Sequence, residues 1–511
     1  MTRSVLAFVC WLVVVNTAVA DDQLADFIRA GDRNAALALI DAGADVNTAQ
    51  GDGTTPLHWA VYTADAALTR ALLEYGAQVD VINTYGSSPL AEAVKIANAA
   101  TVELLLAAGA DVEAPNKDGQ TVLMLAARAG SVEIAELLVR HGADVNAREA
   151  WRGQTALMWA ADSGSAELTR FLIDRGANVE ARAITNDWST QMTAEPRNQY
   201  RPTGGMTPLL YAARAGCRDC VEALLDAGAD PNRPNPDGVT PLIVAIDNFA
   251  FDTAKLLFER GASPHVWDWW GRTALYSAID MNTYSLDAYD ERTGPPIVTE
   301  ETTALELAQL FLDAGVNPNS QLNMHRPSRG GNAGRFADEI ITTGATPLLR
   351  AAAGQDSEAV GLLLDYGARV EVPNVMGVTP LIGAAGLGME PSPRFNPDGD
   401  AEDRALATLE LLLGAGADVN ARITDVKGRT ARIGRSTTLP ERGGQTALYG
   451  AVQWAWPRVV QFLIDHGADV EVVDDLGVSP LDAASGSAGS RDNRPSDEVA
   501  AILRAAIDGG A

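Results

Sequence analysis

The side chains in this sequence that could do chemistry are few. Cys217 and Cys220 stand three residues apart at the start of a predicted helix, and Cys10 is the third cysteine of the chain. A separation of three at a helix start brings two Cα atoms within disulfide range. Outside the cytoplasm a local disulfide is the expected state. A thioredoxin-like redox role needs a setting of strands that the surrounding sequence lacks. Two reduced, buried thiols are the third reading. Trp267, Trp269 and Trp270 crowd one short stretch, with Trp151 a single counterpart. Exposed Trp anchors interfaces and forms the platform beneath sugar rings. The competing reading is that Trp188, Tyr200 and Phe336 close over the indoles as a satellite core. Asn396, Asp398, Asp400 and Glu402 alternate in an acidic stretch. Alternate carboxylates can wrap Ca²⁺, but the glycine is misplaced for an EF-hand loop. A solvated loop is the expectation, and no metal site is assigned. His58, His141, His265, His325 and His466 are dispersed. No His-x-x-x-His pair, serine elbow or phosphate-binding glycine loop is present. No constellation supplies nucleophile, base and oxyanion donors together, so the sequence predicts no catalytic residue and no cofactor.

The elements that hold these residues come from a repeat. Variants of Gly-Ala-Asp recur at Gly43, Gly76, Gly109 and Gly142, each 33 residues from the last. They return at Gly176, Gly228, Gly261, Gly315, Gly367, Gly416 and Gly467. A period of this size predicts a solenoid of small stacked units. Residues 53–80 show the unit. Thr55 caps a helix, and Pro56 sits where the first turn needs no N–H donor. Leu57 and Ala60 face the stack, and a second helix runs through Leu68, Leu72 and Leu73. Gly76 ends it in the left-handed region, and a hairpin leads on to Gly86.

Thr55-Pro56-Leu57-His58, with Leu72-Leu73 and Gly76-Ala77, resembles the ankyrin repeat family. The pattern returns at Thr207-Pro208-Leu209, Thr240-Pro241-Leu242, Thr346-Pro347-Leu348 and Thr379-Pro380-Leu381. The resemblance implies an all-α solenoid of about 12 units, helix-turn-helix plus hairpin. Residues 22–50 are read as an N-terminal cap repeat, 51–182 as regular repeats and 478–511 as a C-terminal cap. It also implies recognition by the concave face and by variable hairpin tips. Trp59 and Trp159 are read as packing residues, while Trp454 and Trp456 are open to either reading.

A net charge of −28 argues against nucleic acid as partner, because phosphates need a basic surface. Residues 1–20 read as a signal peptide: Arg3, an apolar run Val5 to Val15, then Ala18-Val19-Ala20 at the cleavage position. The run is shorter than the ~20 residues that span a bilayer. Cleavage near Ala20 predicts an exported chain, periplasmic or secreted, that is not embedded in a membrane.

Later repeats are interrupted. Insertions at 183–205, 318–344 and 421–444 lengthen hairpins, and those at 282–303 and 388–404 lengthen helix–helix turns. Solenoid insertions map to loops on one face, often the binding face, although long surface loops also drift at little cost. The hairpin insertions together carry a net charge of about +5 and the others are acidic. Arg429, Arg432 and Arg435 make 421–444 the most basic. Such opposed charge steers a polarised partner, or lets basic fingers fold back on an acidic body. The sequence thus predicts a non-catalytic scaffold that binds another protein through the Trp tips and basic fingers. A carbohydrate or small-ligand pocket around Trp267–Trp270 is the alternative.

Overall fold

The computed structural model describes residues 23–186, 203–287, 300–323, 340–341, 343–387, 400–424, 442–486 and 494–509. Local sequence explains the recurring unit. Thr55 accepts the N–H of His58 and Pro56 occupies the first turn, so the inner helix Pro56–Tyr62 starts there. Ser88, Thr207, Thr240, Thr346, Thr379 and Ser479 cap in the same way, each followed by proline. The outer helix Ala66–Glu74 is capped by Asp65. It ends where Gly76 adopts φ +87° and the Ala77 N–H closes onto Leu72 O at 2.9 Å. A Cβ at Gly76 would meet nothing within 4 Å. The glycine recurs for its backbone conformation, since the space around it is open. Gly119, at a hairpin tip, is different. It has φ +76°, and a Cβ there would lie 2.6 Å from Ala150 N of the next hairpin.

The helix pairs fall into two compact units. The first comprises residues up to Thr185 together with Gly204–Asp230. Its pairs are 23–29 with Arg33–Asp41, Pro56–Tyr62 with Ala66–Glu74, Pro89–Lys95 with Ala99–Ala107, Val122–Ala129 with Val132–Arg140, Ala156–Asp162 with Ala166–Asp174, and Pro208–Ala215 with Arg218–Asp226. The second comprises Asn186–Thr203 and Pro231–Ala511. Its pairs are Pro241–Asp247 with Phe251–Glu259, Ala274–Asp287 with Ala304–Asp313, Pro347–Ala353 with Ser357–Asp365, Pro380–Ala384 with Ala401–Gly414, Ala447–Trp454 with Pro457–Asp465, and Pro480–Ala484 with Asp497–Gly509. Each unit is an all-α repeat solenoid whose core runs between successive pairs, as at Leu57, Ala60, Leu68 and Leu72, all at most 1% exposed. The described strands are Thr185–Asn186 and Thr203–Gly204, which form one two-stranded sheet.

Two ladders tie neighbouring repeats together. In one, a polar side chain four residues after the helix-ending glycine reaches the next repeat. Asn47 donates to Gly76 O at 3.0 Å and accepts from Gln78 N at 2.7 Å. Asn146, Asn232, Asn319 and Asn420 repeat this clamp. Asp80, Glu113, Glu180 and Glu371 keep only the accepting half, as a carboxylate must. In the other ladder, hairpin backbones bond to each other: Thr84 N to Asp52 O, Trp269 N to Asp237 O, Asn323 N to Trp270 O and Val375 N to Thr343 O, each 2.8–3.0 Å.

The three hairpin insertions leave from the same kind of base. Ala183 N donates to Met206 O and Gly205 N to Ile184 O, while Leu322 with Ala345 and Ile423 with Gln445 are the counterparts. Both helix–helix insertions are partly helical at the described ends. Residues 282–287 continue the 14-residue helix Ala274–Asp287, and residues 401–404 open the 14-residue helix Ala401–Gly414. Asn282 and Thr283 are held by Asp356 at 2.7 and 3.1 Å, which draws the first of these extensions onto the next repeat.

Candidate interaction surface

The hairpins present most of the exposed large apolar side chains, while Tyr62, Tyr75, Tyr366 and Leu411 lie on helices or at their ends. In the first unit the hairpin residues include Ile82, Tyr85, Trp151 and Ile184, with Trp151 73% exposed. In the second unit they are Trp267, Trp269, Val375, Val473 and Leu476, with Trp267 62% and Trp269 39% exposed. The inner helices differ between the units. Four residues after the capping residue, Trp59, Glu92 and Trp159 are half-buried in the first unit, while Leu125 and Tyr211 are buried. Trp59 donates its indole N–H to Gln50 Oε1 at 2.9 Å, and the Arg128 guanidinium lies 5.7 Å from the Trp159 ring centroid. In the second unit the same position holds Ser277, Arg350, Gly383, Gly450 and Ala483, which are buried, and Val244, which is half-buried. Apart from Val244, these inner-helix positions of the second unit are closed to a partner, and most of its exposed large apolar groups lie on the hairpins.

Trp270 is a correction to the sequence reading. It is 5% exposed and packs with Val239 and Ile243, with Val244 alongside. The tip geometry gives the reason. Asp268 accepts the N–H groups of Trp270 and Arg272 at 3.0 and 2.9 Å, curling the chain, and the Trp269 N–H is used by Asp237 O. With the backbone fixed, Trp267 and Trp269 point out and Trp270 points in. The Arg272 guanidinium lies 5.5 Å from the Trp270 ring centroid and pairs with Asp268 and Asp247 at 2.8 and 3.0 Å. Burial opposes the Arg272 charge, but Asp247 and Asp268 outweigh it and hold its pKa above the ordinary value. Trp454 and Trp456 are also inside, stacked 5.8 Å apart, with the Trp454 indole N–H donating to Gly386 O at 2.9 Å.

Comparison with known proteins fits this geometry. Family models for ankyrin repeats match residues 24–116, 90–183 and 191–268, and a single-repeat model matches 443–475. The chain belongs to the ankyrin repeat family. Among solved structures, the human ASB11 ankyrin repeat domain is 25% identical with a TM-score of 0.39, covering 47% of this chain and 98% of that one. A search of curated proteins finds no match.

Within this ankyrin array, the remaining predicted residues fall as follows. Arg429, Arg432 and Arg435 lie outside the described residues, as do residues 1–20, Trp188, Tyr200, Phe336, Asn396 and Asp398. At the edges of the basic finger, Arg422 donates to Gly444 O at 3.0 Å and to Val473 O at 2.5 Å, and buried Arg442 donates to Gln453 at 2.9 Å. These two cations are engaged in holding the finger's base. Glu402 accepts the N–H groups of Arg458 and Val459 at 2.7 and 3.2 Å, at the start of the next outer helix. Among the described residues no group of three or more His, Cys, Asp or Glu is placed to hold a metal ion. Cys217 and Cys220 are joined as a disulfide with Cα atoms 5.2 Å apart.

Sequence reading missed two sets of residues. The Asn47-type clamp was visible as a polar residue at a fixed offset from each Gly-Ala-Asp glycine. The buried pair Asp280–Arg350, with side chains 3% and 1% exposed, had one local signal. That signal is a lone arginine inside the Pro347–Ala353 segment of Leu and Ala.

His58 carries a pH prediction. It is 2% exposed, its Nδ1 lies 2.8 Å from the Thr55 hydroxyl, and its Nε2 lies 3.0 Å from Ser87 O of the next repeat. Burial, the largest influence, lowers its pKa below the ordinary 6.5, against smaller raising effects from Ser87 O and Glu92. The unfolded chain therefore takes up the proton first on acidification. His58 contributes its full stability above about pH 6.5, and the contribution is lost as pH falls from there through the folded-state value. Denaturant unfolding between pH 7.5 and 5 is expected to show a stability slope that is shallower in His58→Gln.

Proposed function

We propose that this chain is a non-catalytic protein-binding scaffold that works outside the cytoplasm and engages its partner through the hairpin tips. Ankyrin repeats generally mediate protein–protein interaction, and ankyrin repeat proteins are typically non-catalytic. The observation that carries the reading is the row of exposed apolar side chains on the second unit's hairpins, led by Trp267 and Trp269. Their backbones are fixed by the hairpin ladder, so little ordering entropy is lost when they are covered. Indoles held this way are effective interface anchors. The charge of −28 favours a protein over a nucleic acid as partner. The signal-peptide pattern of residues 1–20 supports export, and among the described residues no helix is long and apolar enough to cross a membrane. A sugar pocket lined by three indoles is not supported by this geometry, because Trp270 faces the core.

The test is affinity capture from the native extracytoplasmic fraction, comparing wild type with the Trp267→Ala/Trp269→Ala double variant. The expected result is a protein retained by wild type and lost by the variant at unchanged thermal stability. Equal retention would remove the tips as the contact, and no capture by wild type would count against the scaffold reading.

A further inference from the structure

Cys217 occupies the capping position of an outer helix. In four earlier repeats that position is Asp32, Asp65, Asn98 or Ser131, and a side-chain oxygen accepts an N–H of the first turn, whereas Ser165 in the preceding repeat makes no such bond. Here the acceptor is sulfur: Cys217 Sγ takes the Cys220 N–H at 3.2 Å while bonded to Cys220 Sγ. The two cysteines differ in access. Cys217 is half-buried, with Arg218 and Asp219 exposed beside it, whereas Cys220 is 0% exposed. The bridge closes a loop with only two intervening residues, and the entropic stabilisation from a disulfide is small for so short a loop. The helix also already holds the two residues together, so a purely structural role explains the bond poorly. Reduction does not abolish the cap. A thiolate at Cys217 would accept the same first-turn N–H with a full charge, and it would sit at the positive end of a nine-residue helix. A pair whose reduced form is stabilised in this way is easily reduced.

We propose that Cys217–Cys220 is a redox-active disulfide that exchanges with external thiols, with Cys217 the sulfur attacked from solvent. An external thiolate bonds to Cys217 Sγ, the Cys217–Cys220 bond breaks, and its electron pair leaves on Cys220 Sγ. That sulfur takes a proton, because its buried site disfavours charge. A second external thiolate then attacks the external sulfur of the mixed disulfide and releases Cys217 as a thiolate at the helix start. Two thiols are oxidised to one disulfide and the protein disulfide gains two electrons. The co-reactant is a dithiol or a pair of monothiols, and the reverse reaction oxidises such a partner.

The experiment uses the full chain, with glutathione disulfide and dithiothreitol as probes and peptide mass mapping to separate this pair from Cys10. Wild type in native buffer is expected to be reduced at Cys217–Cys220 by dithiothreitol while its circular dichroism stays that of the folded protein. In Cys220→Ser, Cys217 is expected to form the glutathione mixed disulfide about tenfold or more faster than Cys220 does in Cys217→Ser. The proposal is overturned if the pair resists dithiothreitol until the protein unfolds, or if the two single variants react at equal rates. Should either variant fail to fold, reduction of native wild type still tests the proposal, which falls if the pair resists dithiothreitol until unfolding.

Discussion

Trp270→Ala is expected to destabilise the second unit by about 3–5 kcal/mol, as deletion of a buried Trp side chain does elsewhere. Trp267→Ala, three residues away, is expected to stay within about 0.5 kcal/mol of wild type. The contrast follows from burial: Trp270 is 5% exposed against Val239 and Ile243, and Trp267 is 62% exposed. The cost at Trp270 has a second component. Arg272 lies over its ring and is bound to Asp268, which also sets the tip turn. Removing the indole opens that ion pair to water and loosens the hairpin. A repeat array need not unfold in one step, so the readout is local: denaturant dependence of hydrogen exchange at residues 235–246 and 268–272. Equal protection in the two variants would contradict the placement of Trp270.

Arg350→Ala is expected to cost a comparable 3–5 kcal/mol, because it leaves the Asp280 carboxylate buried without its cation. Both side chains are within the core, 1% and 3% exposed, and Arg350 Nε donates to Asp280 Oδ1. The helix extension beside them is tied to Asp356 through Asn282 and Thr283, so the loss should spread into 282–287. Replacing both partners, as Asp280→Leu with Arg350→Met, removes the stranded charge and is expected to recover most of the loss. Thermal unfolding of the two singles and the double forms a cycle that measures the coupling. Additive losses would show that the pair does not act as a unit.

Much of the fold was legible because each repeat is written in local signals. Thr55-Pro56 begins a helix and Gly76 ends one wherever they occur, and eleven copies of the glycine signal outweigh any single ambiguous stretch. The surface was less legible. The three clustered tryptophans looked alike in composition, yet the tip turn separates them. Trp267 and Trp269 face solvent and Trp270 faces the core, because Asp268 curls the chain at this tip. The turn-forming Asp268, three residues before Gly271, was the available signal, and reading the three as one cluster passed over it. The Asp280–Arg350 contact joins residues 70 apart across two insertions, a distance at which no periodicity speaks. The extension to Asp287 was hidden in the same way: its cause, Asp356, belongs to the following repeat.

The most direct test of the scaffold account is hydrogen exchange of the full chain with and without its captured partner. The account predicts new protection at the second unit's hairpin segments 265–271, 373–377 and 471–477, with the outer helices Phe251–Glu259 and Ser357–Asp365 unchanged. Protection confined to those outer helices, with the Trp267 and Trp269 tip exchanging as before, would contradict it.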